Sequence, residues 1–343
     1  MTAKVVTFGE IMLRLSPPGF ERFLQSPVLS ATFGGGEANA AVSLAQFGLE
    51  SVYVTRLPSH AIGEAAVRAL RAEGVRTEHI IRGGSRIGIY YAETGASQRA
   101  STVIYDRAHS AISEMEPDAV AWDEIMRGAA WFHVTGITPA LGPKSADATA
   151  RAIDASRRAG VRISVDLNYR KKLWSETQAQ QTMKPLMRNV NVVVANEEDL
   201  QSVLGVEVRG ADVTAGSLDR SAYRDAAMRV SRDFGAELVA VTLRESLSAS
   251  DNGWSAVLWD AKTSTFHESQ RYDVRLIDRI GGGDSFAGGL IYSLVTGRSP
   301  EAALRFAVAA SALKQTVPGD FNRMTAAEVD ALVKGDASGR VQR

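Results

Sequence analysis

Cysteine is absent from the 343 residues, which excludes disulfides, thiolate metal sites and a cysteine nucleophile, and agrees with a reducing compartment. Net charge is absent too. The 39 Lys and Arg are cancelled by 39 Asp and Glu, so bulk charge attracts neither nucleic acid nor an anionic membrane, and any anion specificity rests on a few placed basic groups. Long apolar runs are also missing. The longest candidate, Gly128 to Pro143, carries His133, two internal glycines and Pro139, and falls short of the roughly 18 charge-free apolar residues of a membrane span. At the N-terminus, Glu10 interrupts the run Val5 to Phe8 before it reaches the length of a signal sequence. The expectation is a soluble, cytoplasmic chain whose first element is a strand. Two nucleotide fingerprints are lacking as well: no Gly-Lys pair exists to make a Walker A loop, and no Gly-x-Gly-x-x-Gly follows the first strand. The five histidines show no metal-ligand spacing and read as structural or solvent-facing.

What is present is an ordinary globular composition, 45% apolar and 23% charged. At about 150 residues per domain the chain makes two domains, or one large α/β domain with an attachment. Short β-branched runs (residues 4–8, 51–55, 130–135, 162–166, 191–195 and 237–243) alternate with amphipathic helical patterns (37–47, 63–72, 144–159, 223–234 and 300–315). That alternation predicts an α/β layered fold with a mainly parallel sheet flanked by helices. Two stretches break the rhythm. Residues 11–33 hold Pro17, Pro18 and Gly19 between apolar runs, and residues 86–106 read as two strands, Ile87 to Ala92 and Thr102 to Tyr105, around a turn at Thr94 to Ser97. Together they predict a small antiparallel sheet placed as a lid over the ligand crevice. The expected division is a core of residues 1–10, 34–85 and 107–335, a lid of 11–33 and 86–106, and a frayed tail of 336–343. Gly205 to Ser221 is polar and Gly-rich, and reads as a surface loop.

The strongest chemical signal is the run Asp278 to Leu290, in which Gly281, Gly282 and Gly283 precede Asp284 and a helical pattern. Successive glycines at a helix entrance let several N–H groups converge where the helix dipole already favours negative charge, which makes an anion cradle. Asp284 at that entrance either caps the helix or accepts a proton from a hydroxyl in line with a phosphate.

This run resembles the C-terminal signature of the PfkB (ribokinase-like) family of carbohydrate kinases, Asp-Thr-x-Gly-Ala-Gly-Asp. The stretch Gly34 to Gly48, beginning Gly-Gly-Gly-Glu-Ala-Asn, is similar to the N-terminal one. The resemblance implies a ribokinase-like three-layer fold with a β-sheet lid, ATP and Mg²⁺ as cofactors, and a small sugar as substrate. Asp284 would be the base, with the amides of Gly281 to Gly283 stabilising the transferring oxygens. Asn196-Glu197-Glu198-Asp199 is similar to the family's Asn-x-x-Glu, whose acid helps hold Mg²⁺ through water; either Asp199 or Glu198 would serve here. Where relatives carry Thr-Leu-Gly-x-x-Gly near the adenosine, this chain has Thr242-Leu243-Arg244-Glu245 and its next glycine is Gly253. Asn196 and Thr242, with Gly283, are the nucleotide contacts carried over.

Within the family, Gly88 to Tyr91, Tyr105-Asp106-Arg107, Gly136 to Leu141 and Asp166 to Arg170 resemble the branch acting on 2-keto-3-deoxygluconate. The implied substrate contacts are Gly34, Gly35, Asn39, Tyr90, Tyr105, Arg107, Ile137, Arg170 and Asp320. Physics supports a sugar acid independently, because planar guanidinium groups such as Arg107 and Arg170 bind carboxylates in paired geometry. The implied reaction is phosphorylation of the terminal C6 hydroxyl. Rivals are a fructokinase-like kinase or one for another sugar acid, and a non-catalytic sugar-acid sensor. A dinucleotide oxidoreductase is disfavoured, since Glu10-Ile11-Met12 follows the first strand. No nucleic acid or membrane partner is expected, and free lid edges give a reason to form a homo-oligomer through the lid.

Overall fold

Val5, Val6, Phe8 and the whole run Val192–Ala195 are enclosed on both sides, as strands covered by helices on two faces must be. A computed structural model describes residues 2–208 and 220–335 of the chain. Among them are β1 (Lys4–Phe8), β2 (Met12–Ser16), β3 (Ser30–Gly34), β4 (Glu50–Leu57), β5 (Ile80–Arg82), β6 (Gly88–Glu93) and β7 (Thr102–Asp106). The second half holds β8 (Ala129–Thr135), β9 (Arg162–Asp166), β10 (Val192–Ala195), β11 (Leu238–Ser246), β12 (Asp251–Asp260), β13 (Thr265–Glu268) and β14 (Tyr272–Arg275). The large sheet has the order β13-β12-β11-β10-β9-β8-β1-β4-β5, with β14 also paired to β12. It is parallel from β5 to β11 and antiparallel beyond.

Helices Pro143–Arg158, Glu176–Met187 and Arg220–Phe234 cover one face through Ala148, Met183 and Tyr223. Gly36–Gln46, Gly282–Val295 and Pro300–Lys314 cover the other through Leu44, Phe286 and Leu304. From β1 the chain proceeds to β4 and β5 on one side and to β8 through β11 on the other. The order therefore reverses beside β1, and at such a switch point the strand C-termini border a ligand crevice.

The second sheet, β3-β2-β6-β7, lies apart from the first. It corrects the wholly antiparallel sheet expected from sequence: β2 and β6 pair in parallel, because they come from separate excursions that leave the core in the same direction, and only β2/β3 and β6/β7 are antiparallel. Two sets of polar contacts, beside apolar packing, help hold this sheet against the core. In the turn between β6 and β7, Ser97 N–H donates to Ser250 Oγ at 2.9 Å and the Ala249 N–H donates to Ser97 O at 2.8 Å. Residues 247–250 form the tip of the β11/β12 hairpin, so the apparent insertion after Thr242 is an extension of two strands that reaches the lid. Deeper down, Arg14 of β2 is buried between Asp278 and Asp320, 2.7 Å from each, and Tyr90 Oη donates to Asp320 at 2.6 Å. Removing the guanidinium would strand two carboxylates. Arg14→Met is therefore expected to destabilise the protein by about 3–5 kcal/mol, read as a lower urea midpoint at unchanged slope; a midpoint equal to that of the unaltered chain would count against this role.

The central part of the Gly205 to Ser221 loop, residues 209–219, lies outside the described residues, and its expected last residues, Arg220 and Ser221, already belong to the helix Arg220–Phe234. The expected tail 336–343 also lies outside them. Among the described residues no helix is long and apolar enough to cross a membrane.

Candidate active site

A cleft of about 440 Å³ opens at the C-terminal ends of β8 to β11, between the core and the lid. Ile137 follows β8, Asp166 ends β9 with Asn168 and Arg170 just beyond, Asn196 to Asp199 follow β10, and Thr242 and Arg244 lie toward the end of β11. The lid contributes Tyr90, Tyr105 and Arg107, and the loop 279–284 closes the far wall. Of the residues expected from sequence, only Gly34 is not a lining residue. It packs beneath, where a Cβ would stand 2.1 Å from the Asp320 carboxylate.

The glycine run behaves as a helix entrance. Gly281 is the N-cap of Gly282–Val295 with φ of 84°, a left-handed conformation suited to glycine, and a Cβ there would meet Asp320 O at 2.1 Å. The expected role of all three glycine amides is corrected in one respect: the Gly282 N–H already donates to Arg279 O at 3.2 Å. The amides of Gly281, Gly283 and Asp284 have no acceptor among the described residues and remain for an anion.

Asp284 lies in the same cleft. Asn39 Nδ2 donates to Asp284 Oδ2 at 2.7 Å, which fixes the carboxylate and leaves Oδ1 without a partner. Burial pushes its pKa up to about 6; the bond from Asn39 opposes that rise and the charge of Asp320 adds to it. Asn39 is itself placed by Glu37, which anchors the start of its helix: one Glu37 oxygen accepts from Thr135 N, Thr135 Oγ1 and Thr138 Oγ1 at 2.9, 2.8 and 2.6 Å. Burial raises the Glu37 carboxyl to about 7 in spite of those bonds.

The arginines divide into engaged and free groups. Arg107 donates through both Nε and Nη2 to one oxygen of the buried Glu10, the Nε bond being 2.8 Å, and its guanidinium lies over Tyr105. Only its remaining N–H groups are available. Asp320 and Tyr90 are likewise committed to Arg14 and to each other, so they shape the cleft more than they offer free polar atoms. Arg170 makes no ion pair among the described residues; its Nη1 donates to Tyr169 O at 2.9 Å, and its charge opposes part of the burial-driven rise of the Asp166, Asp199 and Asp284 carboxyls. Arg244 and Arg279 also lack ion-pair partners among the described residues, and Arg279's pKa is lowered by burial and by the charge of Arg244.

In the Asn196 motif the acidic roles separate. Asn196 caps the short helix, its Oδ1 accepting from Asp199 N at 2.9 Å, and Asp199 completes the capping box: its Oδ2 accepts from Asn196 N at 3.1 Å and its Oδ1 from Tyr169 N at 2.7 Å. Its buried carboxyl is raised to about 6. Each Asp199 oxygen thus accepts one backbone N–H, while Glu198 is exposed on the cleft. Thr242 Oγ1 donates to Ala195 O at 3.4 Å.

This architecture has known counterparts. Residues 2–326 match the sequence model of the pfkB family of carbohydrate kinases. The chain belongs to that family. A 2-dehydro-3-deoxygluconokinase of Thermotoga maritima, known from its crystal structure, is 48% identical, with a TM-score of 0.93 over 97% of this chain and 100% of that one. The curated 2-dehydro-3-deoxygalactonokinase of Haloferax volcanii is 35% identical, over 99% of each chain. A fructokinase of Xylella fastidiosa, solved with bound ATP, shares the fold at 21% identity with a TM-score of 0.78. This member is thus a sugar kinase with the ribokinase-like fold.

Sequence reasoning missed Asp166, Asn168, Arg244 and Arg279 as cleft residues. Asp166 carried a signal, its position at the end of a parallel strand. Buried there, its carboxyl is pushed well above the usual range, with the charges of Asp199 and Asp284 adding to the effect. Arg244 and Arg279 stood inside the motifs but interrupted their usual pattern.

Proposed function

We propose that this kinase transfers the γ-phosphoryl group of ATP to the C6 hydroxyl of 2-keto-3-deoxygluconate, giving 2-keto-3-deoxy-6-phosphogluconate. The observation that carries the reading is Arg170, a guanidinium without an ion-pair partner among the described residues, in the cleft that holds Asp284. It is suited to a carboxylate at the opposite end of a short open-chain acid from the reacting hydroxyl. The names of the Thermotoga and Haloferax relatives support the same substrate class.

In this reading the sugar lies between lid and core, Tyr90, Tyr105 and Ile137 bounding its carbon chain. Asp284 Oδ1 takes the proton of the attacking hydroxyl as the P–O bond forms. The free amides at the helix entrance receive the charge on the transferring oxygens, and water is excluded by the latched lid. Thr242 and Asn196 line the nucleotide end, with Arg244 and Arg279 beside the polyphosphate. Magnesium, if it arrives with ATP, would supply neutralisation of phosphate charge. The donor set fits it: Glu198 offers a hard oxygen to its water shell, and no group of three His, Asp or Glu among the described residues forms a cage.

Arg170→Ala is the test of the acid's carboxylate. Losing a charge-assisted bond of about 1.5–3 kcal/mol raises KM for the acid roughly 10- to 150-fold, while KM for a neutral sugar barely moves. Arg170→Lys recovers only part, because a point charge replaces two parallel donors. Equal losses of kcat/KM on charged and neutral sugars would defeat the reading. The Haloferax relative's name favours a second reading, the C4 epimer 2-keto-3-deoxygalactonate, and the same assay with both epimers ranks the two. We also propose pairing of two copies through the lid, whose outer strands β3 and β7 present unpaired edges.

A further inference from the structure

Lys314 is fully buried, an uncommon place for an ammonium, and no carboxylate lies within ion-pair distance of it among the described residues. Its Nζ donates instead to two main-chain carbonyls of the glycine loop, Asp278 O at 3.1 Å and Ile280 O. The rest of the loop is bound to the same helix end. Ile277 N and Asp278 N donate to Gln315 O at 2.9 and 3.2 Å, and Ser311 Oγ donates to Gly282 O at 2.7 Å.

Peptide planarity turns this into a statement about the anion cradle. The peptides are trans, so a carbonyl and the N–H that follows it point to opposite sides. Drawing Ile280 O toward Lys314 directs the Gly281 N–H away from it, and drawing Asp278 O does the same for the Arg279 N–H. Neither amide has an acceptor among the described residues, and both residues line the cleft. A buried cation thus lies behind the loop with two free amides directed away from it.

We propose that Lys314 is a positioning residue for phosphoryl transfer: it orients the Arg279 and Gly281 amides toward the transferring group and places a fixed positive charge behind them. This rests on the kinase reading of the cleft, in which that group is the γ-phosphoryl of ATP. The charge acts as negative charge shifts in the transition state, so its loss appears in kcat and not in sugar binding.

The test uses Lys314→Met, which keeps the stem but ends one atom short of the ammonium, and Lys314→Gln, which keeps an N–H donor without the charge. ADP release is followed on the sugar that the unaltered enzyme turns over best. Loss of a preorganised donor set lowers kcat by about 10²–10³-fold in both variants, with sugar KM held within about threefold. Ammonium, which fits the one-atom void left by the lysine head group beyond the Met methyl, is expected to restore kcat of Lys314→Met at least about tenfold while leaving the unaltered enzyme unchanged. The proposal is overturned by a folded variant with kcat near normal, by a loss that lies equally in sugar KM, by loss of Lys314→Met activity without rescue by ammonium, or by failure of both variants to fold even with ammonium. The unaltered enzyme separates this from the substrate assignment: if it prefers another sugar, 2-keto-3-deoxygluconate is withdrawn and the Lys314 comparison proceeds on that sugar.

Discussion

Asp284→Asn leaves the fold intact and lowers kcat by roughly 10²–10⁴, the scale of losing a positioned general base. The amide preserves the size of the side chain and can still face Asn39, but it cannot take a proton from the sugar hydroxyl. The unaltered enzyme also carries a pH signature. With the carboxyl raised to about 6, the base is increasingly protonated below that pH, so kcat/KM falls on the acid side with an apparent pKa near 6 and is flat above it. Asp284→Asn removes that limb together with most of the rate. A folded variant with near-normal turnover, or an acid limb that survives the substitution, would take Asp284 out of the proton transfer.

Chelation of divalent ions abolishes turnover altogether and leaves the protein folded. In the proposed reading the metal arrives with the nucleotide phosphates, so its removal is expected to expose no destabilised protein site. Excess EDTA is expected to stop ADP release while the thermal midpoint stays within about 1 °C, since a ligand that is not bound to the native state cannot stabilise it. Mg²⁺ or Mn²⁺ in excess of the chelator restores the rate. Glu198→Gln raises the magnesium needed for half-maximal activity, whereas full activity in chelator would contradict the assignment.

Local sequence carried the glycine loop, Asp284 and the β-branched strands because each obeys a rule confined to one segment: a periodicity, a helix entrance, or a burial pattern. Pairings across the chain were not legible in that way. Arg14 and Asp320 are 306 residues apart, and nothing in either neighbourhood announces that they share a buried ion pair. For the same reason the parallel partnership of β2 and β6 was hidden, as was the attachment of residues 247–250 to the lid turn. The apparent gap after Thr242 looked like a damaged nucleotide motif because sequence displays the missing glycines but not the hairpin that replaces them. Asp199 shows the converse. Its motif was visible, but a capping carboxylate and a free one look alike until the amides that occupy it are located.

The central assignment is tested most directly by letting two acceptors compete. Equal concentrations of 2-keto-3-deoxygluconate and fructose are incubated with one equivalent of ATP and Mg²⁺, and the products are resolved by phosphorus and carbon NMR. The expected result is one new phosphomonoester, coupled to the C6 methylene of the keto acid, formed in step with ADP. Phosphate appearing on fructose, or ADP accumulating with no phosphomonoester, would contradict it.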